Sequence, residues 1–367
     1  MPETLTLRDL NRATLARQLV LGRATLPVSD ALGRLLALQA QVPSAPYVAL
    51  WSRLDGFDRG LLTERLLDHS FVKATSMRAT LHVLRADDYL HFRTTLASIF
   101  ESAMTAITKK RGALVEQDRL LGAVRPFIDK QPRTFAEITA FLAAKWPDHD
   151  IGGMRYTVRM LLPMVQVPRS DGWGFPGNPA FALAESWLGR TPEESPDEAG
   201  LVRRYLAAFG PATVADAQSW TGLAKLKPVF YAMRDELVEL RDETKRALFD
   251  LSDAPRPGGD IDAPVRFLPE FDNLLSGHKD RSRFIAAAHR PRVYLPALRV
   301  APTVLIDGFV AGVWKIETAK KPTRLVVELL AAASKATLRA VREEAERLYC
   351  FVEPGSSSCA VDVQPLA

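Results

Sequence analysis

Cysteine is scarce in this sequence, with two residues in a chain of 367. Cys350 and Cys359 lie close together near the C-terminus, and one pair of thiols cannot form a disulfide scaffold. No His, Asp or Glu stands near them at a spacing typical of metal ligands. We therefore expect free thiols, no bound metal and no cofactor.

Long apolar runs are also missing. No run approaches the roughly 20 residues that a membrane-spanning helix needs. Residues 1–9 include acidic side chains and lack the apolar segment of a secretory signal. No long helix with heptad spacing offers a dimer interface. The sequence therefore predicts a cytoplasmic, monomeric protein that does not associate with membranes.

The charge balance is basic but not extreme. There are 48 Lys and Arg against 43 Asp and Glu, a net charge of +5 and a pI of about 9.2. This balance is compatible with nucleic acid as a partner but does not establish one. Apolar residues make up 47% of the chain, enough for a sizeable core in several modules.

A pattern of helix, glycine-containing turn, helix and two strands recurs along the chain and is typical of a winged-helix module. Each copy contains a capping-box signature, in which Thr is followed three residues later by Asp or Glu. The predicted helices and strands of the three copies are 6–21, 29–40, 60–68, 71–76 and 78–84; then 135–144, 154–164, 165–168 and 173–175; then 214–220, 226–233, 237–241 and 246–251.

Residues 252–262 are rich in Pro, Gly and Asp and form the best linker candidate. Beyond them the pattern predicts four strands, at 265–267, 303–306, 310–316 and 324–329, and one amphipathic helix at 333–349. We predict an α+β fold of three tandem winged-helix modules followed by a small β-rich domain. The predicted divisions are residues 1–111, 112–190, 191–255 and 256–367.

The segment Gln39-Ala40-Gln41 is the most informative part of the chain. Residues two apart point in opposite directions on a helix but in the same direction on an extended segment. Val42 precedes Pro43 and is therefore biased away from helical geometry. We expect the helix that starts at Ser29 to end near Ala40 or Gln41, so that both amides face one cleft. The alternative is that the two amides only cap the last carbonyls of that helix.

Several segments resemble the AlkZ family of bacterial DNA glycosylases, which carry a Gln-apolar-Gln motif at the end of an early helix. The Gln39–Gln41 spacing is similar to that motif. The related YcaQ-type enzymes have Asp where this chain has Gln41, so at this position the chain resembles the AlkZ enzymes and not the YcaQ type. The other similar segments extend from the first helix into the C-terminal domain and are residues 10–18, 77–82, 268–275 and 307–314.

The resemblance implies tandem winged helices with a small β-barrel-like C-terminal domain, and a DNA glycosylase that acts on double-stranded DNA with alkylated purines. It implies catalytic roles for Gln39 and Gln41 at the N-glycosidic bond of an N7-alkylguanine. That base already carries positive charge, so its departure needs no general acid. A glutamine carbonyl can orient the attacking water, and its dipole favours the developing cation.

The same resemblance suggests bulky N7-guanine adducts or interstrand crosslinks made by genotoxic natural products such as azinomycin B. Self-resistance in a producing bacterium is then a plausible role. We see no need for a lysine Schiff base, so we expect base removal without strand cleavage.

DNA-binding candidates come from clustered basic groups and from a histidine in an alternating strand pattern. Residues 277–283 concentrate basic side chains at a turn, which fits either a phosphate contact or a solvated loop. Arg155 and Arg159 lie one turn apart on a helix, with the same two interpretations. His82 either lines the cleft or is a half-buried strand residue. The complete set of predicted DNA contacts is His82, Arg155, Arg159, His278, Lys279, Arg281 and Arg283.

Two other functions remain open at this level. A winged-helix transcription regulator would bind a short palindrome without releasing a base. A scaffold built from winged helices would need no special residues at positions 39 and 41.

Overall fold

The computed structural model describes residues 3–318, 323–356 and 359–364, and it confirms an α+β fold. The first helix begins at the predicted capping box. Thr6 Oγ1 accepts from the backbone N–H of Asp9 at 3.1 Å, and the Asp9 carboxylate accepts from the backbone N–H of Thr6 at 2.8 Å. The elements of this first region are β1 (Thr4–Leu5), α1 (Leu7–Arg17), α2 (Val28–Leu35), β2 (Leu38–Gln39), α3 (Ala45–Arg53), α4 (Arg59–Leu67), β3 (Phe71–Thr75), β4 (Leu81–Arg85), α5 (Ala86–Phe92) and α6 (Ala97–Thr108).

The second region repeats the pair of helices at Phe135–Lys145 and Ile151–Leu161. The first helix of this pair begins at the capping box of Thr134 and Glu137. The predicted strand at 173–175 is wrong. Gly172 and Gly174 both adopt positive φ there, which makes the segment a turn, and the strand lies further on. The elements are α7 (Gln117–Asp129), β5 (Arg133–Thr134), α8 (Phe135–Lys145), α9 (Ile151–Leu161), β6 (Met164–Gln166), β7 (Ala180–Leu183) and α10 (Ala184–Leu188).

The third region has the predicted order of helix, glycine turn, helix and hairpin. Gly222 closes the first of these helices with φ +88°, a conformation that glycine adopts without strain. The elements are α11 (Glu198–Phe209), α12 (Val214–Thr221), α13 (Lys227–Ala232), β8 (Leu237–Asp242) and β9 (Ala247–Leu251).

Strands of different regions pair with each other, so the regions are joined by shared sheets. One six-stranded sheet has the order β2-β4-β3-β6-β7-β5, and the pair Ala74–Val165 joins the strands of the first and second regions. Strand β1 pairs in parallel with β8, which brings the N-terminus to the third region. The division of the chain into three winged-helix modules stays a prediction.

The C-terminal region contains an open sheet, so the predicted β-barrel-like domain is wrong. Its five strands have the order β10-β13-β14-β15-β16, and within the described residues no pairing joins the two edge strands. Helix α16 covers one face through Val341, Ala345 and Leu348, so the sheet buries its apolar face without closing. The elements are β10 (Arg266–Leu268), α14 (Asn273–Ser276), α15 (Arg290–Val293), β11 (Tyr294–Leu295), β12 (Arg299–Val300), β13 (Thr303–Ile306), β14 (Phe309–Glu317), β15 (Arg324–Leu329), α16 (Lys335–Val352) and β16 (Val361–Gln364).

The C-terminal sheet shares its core with the first region. Leu32 and Tyr47 belong to the same buried cluster as Val304 and Trp314. The buried ion pair between Arg53 on α3 and Asp272 before α14 crosses the same boundary. These contacts place the Gln39–Gln41 segment between the helices of the first region and the C-terminal sheet. No helix among the described residues has the length and apolar character to cross a bilayer.

Candidate active site

Helix α2 ends earlier than the sequence predicts, several residues before the two glutamines. Helix α2 ends at Leu35, and Leu36 takes a left-handed conformation with φ 65°, so the predicted helix end near Ala40 or Gln41 is wrong. The chain then pairs with β4, where Gln39 stands opposite His82. The backbone N–H of Ala40 donates to the carbonyl of Leu81 at 2.8 Å. Gln39 therefore lies on a strand and Gln41 on the bend that follows it, and neither lies at a frayed helix terminus.

The side chains of Gln39 and Gln41 lie on the same side of this segment. Burial alternates along it, because Leu38 and Ala40 are buried while Gln39 is half-buried and Gln41 is exposed. Alternate residues of an extended chain share a face. The expected convergence of the two amides is supported by this burial pattern and by their neighbouring partners, Arg78 and Leu81.

Both amide oxygens point toward the loop between β3 and β4. Arg78 Nη2 donates to Gln39 Oε1 at 3.0 Å, and the backbone N–H of Leu81 donates to Gln41 Oε1 at 3.4 Å. Both partners are donors, so each amide presents its oxygen to the loop. Helix α2 already ends at Leu35, and among the described residues neither glutamine NH₂ group donates to one of its carbonyls, so the alternative in which the glutamines cap α2 is wrong.

Arg78 is a site residue that the sequence analysis did not single out, although it lies in one of the resembling segments. Its backbone is left-handed, with φ 55°, and so is that of Ala79. Besides Gln39, its guanidinium donates to the carbonyl of Trp220. Burial, together with the charge of nearby Arg281, lowers the pKa of Arg78 to about 10, which leaves it protonated at neutral pH.

His82 is completely buried, which contradicts its prediction as a DNA contact. Its Nδ1 lies 3.0 Å from the carbonyl of Thr80. Burial and the positive charge of Arg78 lower the pKa of His82 to about 3. A neutral imidazole beneath the strand cannot reach a phosphate, so His82 supports the site from inside.

The basic cluster at 278–283 divides into buried and accessible members. Arg283 is 5% exposed and donates through Nη1 to Thr14 Oγ1 at 2.9 Å and through Nη2 to the carbonyl of Pro211 at 3.0 Å. His278 is buried beside it, with Nε2 2.9 Å from the carbonyl of Phe209. Their predicted phosphate contacts are wrong because these groups are occupied inside the protein.

The other basic candidates are accessible to different degrees. Lys279 is exposed, and half-buried Arg281 places its guanidinium 3.9 Å from the ring centre of Tyr294. On α9, Arg155 is exposed, whereas Arg159 is half-buried and burial lowers its pKa. Arg281 lies near Arg78, because its positive charge contributes to lowering the pKa of Arg78.

A cavity of about 640 Å³ begins next to the glutamines, between α3 and the C-terminal sheet. Val42, which follows Gln41 directly, lines it together with Trp173 and Trp314, whereas neither glutamine is among its lining residues. Glu270 also lines this cavity, and burial raises the pKa of its carboxyl. The candidate catalytic amides therefore lie at the edge of the cavity and not inside it.

The β11–β12 hairpin stands beside the same cavity, because Leu295 and Arg299 contribute to its lining. Leu298 at the hairpin tip is 92% exposed. Across the part of the chain that the structure describes, no group of three His, Cys, Asp or Glu could hold a metal ion.

The fold agrees with the comparisons to known proteins. The chain belongs to the AlkZ-like family of DNA glycosylases, whose family model matches residues 32–351. This class of enzyme hydrolyses N-glycosidic bonds in DNA. A particular relative is the interstrand DNA cross-link repair glycosylase of Streptomyces sahachiroi, which is 28% identical in an alignment that covers 90% of this chain and 92% of the relative. The solved structure of Streptomyces sahachiroi DNA glycosylase AlkZ matches with a TM-score of 0.78 and 25% identity, over 98% of this chain and 100% of that chain.

Proposed function

We propose that this enzyme hydrolyses the N-glycosidic bond of cationic N7-alkylguanine in double-stranded DNA, with Gln39 and Gln41 as its catalytic residues. Its substrates include bulky adducts and interstrand crosslinks of the kind that azinomycin B forms. The observation that carries the proposal is the pair of amides on one side of β2 and the residues after it, both oriented by the 77–81 loop. The name of the Streptomyces sahachiroi relative supports the inclusion of crosslinks.

The chemistry suits neutral amides because the leaving group is already a cation. When the C1′–N9 bond breaks, its electron pair neutralises the purine, and the developing positive charge moves to the sugar. Gln41 is exposed and its carbonyl oxygen keeps a second lone pair that can accept from the attacking water. The water oxygen bonds to C1′, and its proton passes to bulk water. Undamaged bases lack this leaving-group activation and are not substrates, and base removal leaves the strand intact.

DNA binding rests on the accessible basic groups and not on buried His278 or Arg283. Arg281 lies near Arg78, Lys279 is exposed two residues before it, and exposed Arg155 on α9 adds a further contact. Contacts of this kind neutralise backbone phosphates without reading sequence. Exposed Leu298 fits an apolar wedge between base steps. Self-resistance to a genotoxic product is the role that we assign to such an enzyme.

The glutamines act on a lesion that remains in an open cleft. A base crosslinked to the opposite strand cannot rotate into a closed pocket without its partner. The exposure of Gln41 and its position outside the adjoining cavity support this arrangement.

The test uses three duplexes of one sequence: undamaged, carrying one N7-methylguanine, and carrying two guanines joined through their N7 atoms by a bifunctional alkylator. We expect release of the methylated base and unhooking of the crosslink, with no product from undamaged DNA. Intact abasic strands before alkaline treatment would support base removal alone. Tight binding to one palindrome without base release would favour a transcription regulator instead.

A further inference from the structure

The loop that carries Arg78 is held in place by the end of α12. Arg78 donates to the carbonyl of Trp220, and its guanidinium lies 5.8 Å from the ring centre of that residue. Gly222 packs against the Arg78 backbone so closely that a β-carbon there would lie 3.1 Å from Arg78 Cα and 3.2 Å from its nitrogen. The third region of the chain therefore determines where the Arg78 guanidinium lies.

Arg78 in turn determines the orientation of the Gln39 amide. A guanidinium has donors only, so the amide must turn Oε1 toward it and Nε2 away from it. The bond is charge-assisted, because Arg78 remains protonated, and it is therefore stronger than an ordinary amide contact. Gln41 is exposed, and within the described part of the chain its one side-chain hydrogen bond is the 3.4 Å contact with the backbone N–H of Leu81. One amide is fixed while the other can adjust.

We propose that Arg78 is a positioning residue for base excision, which acts by fixing the amide of Gln39 in one orientation. This inference rests on the proposed glycosylase function. The fixed Gln39 directs its NH₂ group toward the cleft, where it donates to a lone pair of the attacking water. Gln41 accepts one hydrogen of the same water, and the remaining lone pair faces C1′. The water is thus held between a donor and an acceptor.

This arrangement gives the two glutamines different roles. Loss of Arg78 leaves the Gln39 amide free to turn over and to present an acceptor where a donor is needed. Misplacement of a reacting group on this scale costs up to about a hundredfold in rate. Because the guanidinium acts through Gln39, its loss should slow the chemical step and leave the affinity for DNA nearly unchanged.

The test is a double-mutant cycle in single-turnover excision of N7-methylguanine. We expect Arg78→Met to lower the excision rate about tenfold to a hundredfold, with little change in the Kd for DNA. The same change in a Gln39→Ala background should add little, because the amide that Arg78 positions is gone. Arg85→Met, at the opposite end of β4, is the matched control and should excise normally. A weaker Kd with an unchanged rate, or additive losses, would overturn the proposal.

A second measurement does not depend on activity. In protein labelled with ¹⁵N at glutamine, the side-chain NH₂ signal that disappears in Gln39→Ala belongs to Gln39. In Arg78→Met that signal should move toward the position of a free amide, while Arg85→Met leaves it in place. An unmoved signal would contradict the positioning role. Absence of base release by the wild-type enzyme would instead refute the glycosylase proposal, so the two failures are distinguishable.

Discussion

Gln39 and His82 stand directly opposite each other in the antiparallel pair of β2 and β4, so a catalytic candidate lies beside a completely buried imidazole. Burial and the charge of Arg78 lower the pKa of His82 to about 3. In the unfolded chain a histidine has a pKa of about 6.5. Between these values the unfolded state binds one more proton than the folded state.

Stability should therefore fall as the pH drops from 6.5 toward 3. His82 contributes a loss of about 1.4 kcal/mol per pH unit over this window. His82→Phe removes the titrating group, so the difference in unfolding free energy between wild type and variant should change with pH at that slope. Urea unfolding at about pH 5.5, 5 and 4.5, where the unfolded histidine is almost fully protonated, measures it. If the unfolding free energies of wild type and His82→Phe changed in parallel with pH, His82 would not be a buried neutral group.

The ion pair of Arg53 and Asp272 joins α3 to the C-terminal region, and both side chains are fully buried. Arg53→Met leaves a carboxylate buried without its cation, although Asp272 still accepts from the backbone N–H of Leu274 at 2.9 Å. We expect a loss of about 3–5 kcal/mol in the free energy of unfolding.

The control for that change is the exposed pair of Arg169 and Asp171. Arg169→Met should alter the unfolding free energy by less than about 1 kcal/mol, since exposed pairs contribute little. Equal effects of the two substitutions in urea unfolding would contradict the buried role of Arg53.

Salt dependence of DNA affinity tests the revised DNA-binding surface. Lys279→Ala combined with Arg281→Ala should weaken binding to all duplexes alike. The slope of log affinity against log salt should become shallower by about 0.9 for each phosphate that the variant no longer neutralises. Arg339→Ala, an exposed arginine on α16, is the control and should keep the wild-type slope. An unchanged slope in the double variant would remove this surface from the interface.

Acidic substitutions at the two glutamines should have different effects on the rate of base excision. Gln41→Asp retains an acceptor for water and should keep substantial activity. Gln39→Glu places a carboxylate against Arg78, forms an ion pair and loses the NH₂ group, so its excision rate should fall about a hundredfold. Thermal unfolding verifies that both variants are folded. Equal activity of the two would contradict different roles.

Local sequence rules indicated the candidate site but not its geometry. Val42 before Pro43 predicted that the chain leaves helical geometry here. Gln39 does lie on a strand, whereas Gln41 lies on the bend that follows it. The earlier end of α2 depends on Leu36 in a left-handed conformation, which no glycine or asparagine marks in the sequence. The contact between Arg78 and Gln39 depends on Trp220, which lies far away in the chain.

The basic cluster at 278–283 shows that a local sequence pattern can mistake buried residues for exposed ones. His278 and Arg283 look like a charged surface turn in the sequence. Their partners are Thr14 and the carbonyls of Phe209 and Pro211, all distant along the chain. The β-barrel-like domain was implied by the family resemblance alone; the local pattern predicted a β-rich domain with one helix, and α16 does cover an open sheet.

The most direct test of the central claim is single-turnover release of N7-methylguanine by Gln39→Ala and Gln41→Ala, with wild type and Gln117→Ala measured in parallel. Gln117 is an exposed glutamine at the start of α7 and controls for loss of an amide elsewhere. We predict that each active-site variant loses about a hundredfold or more in rate, while its melting temperature and DNA affinity stay close to wild type and Gln117→Ala keeps full activity. Near-wild-type rates in both Gln39→Ala and Gln41→Ala would contradict the account.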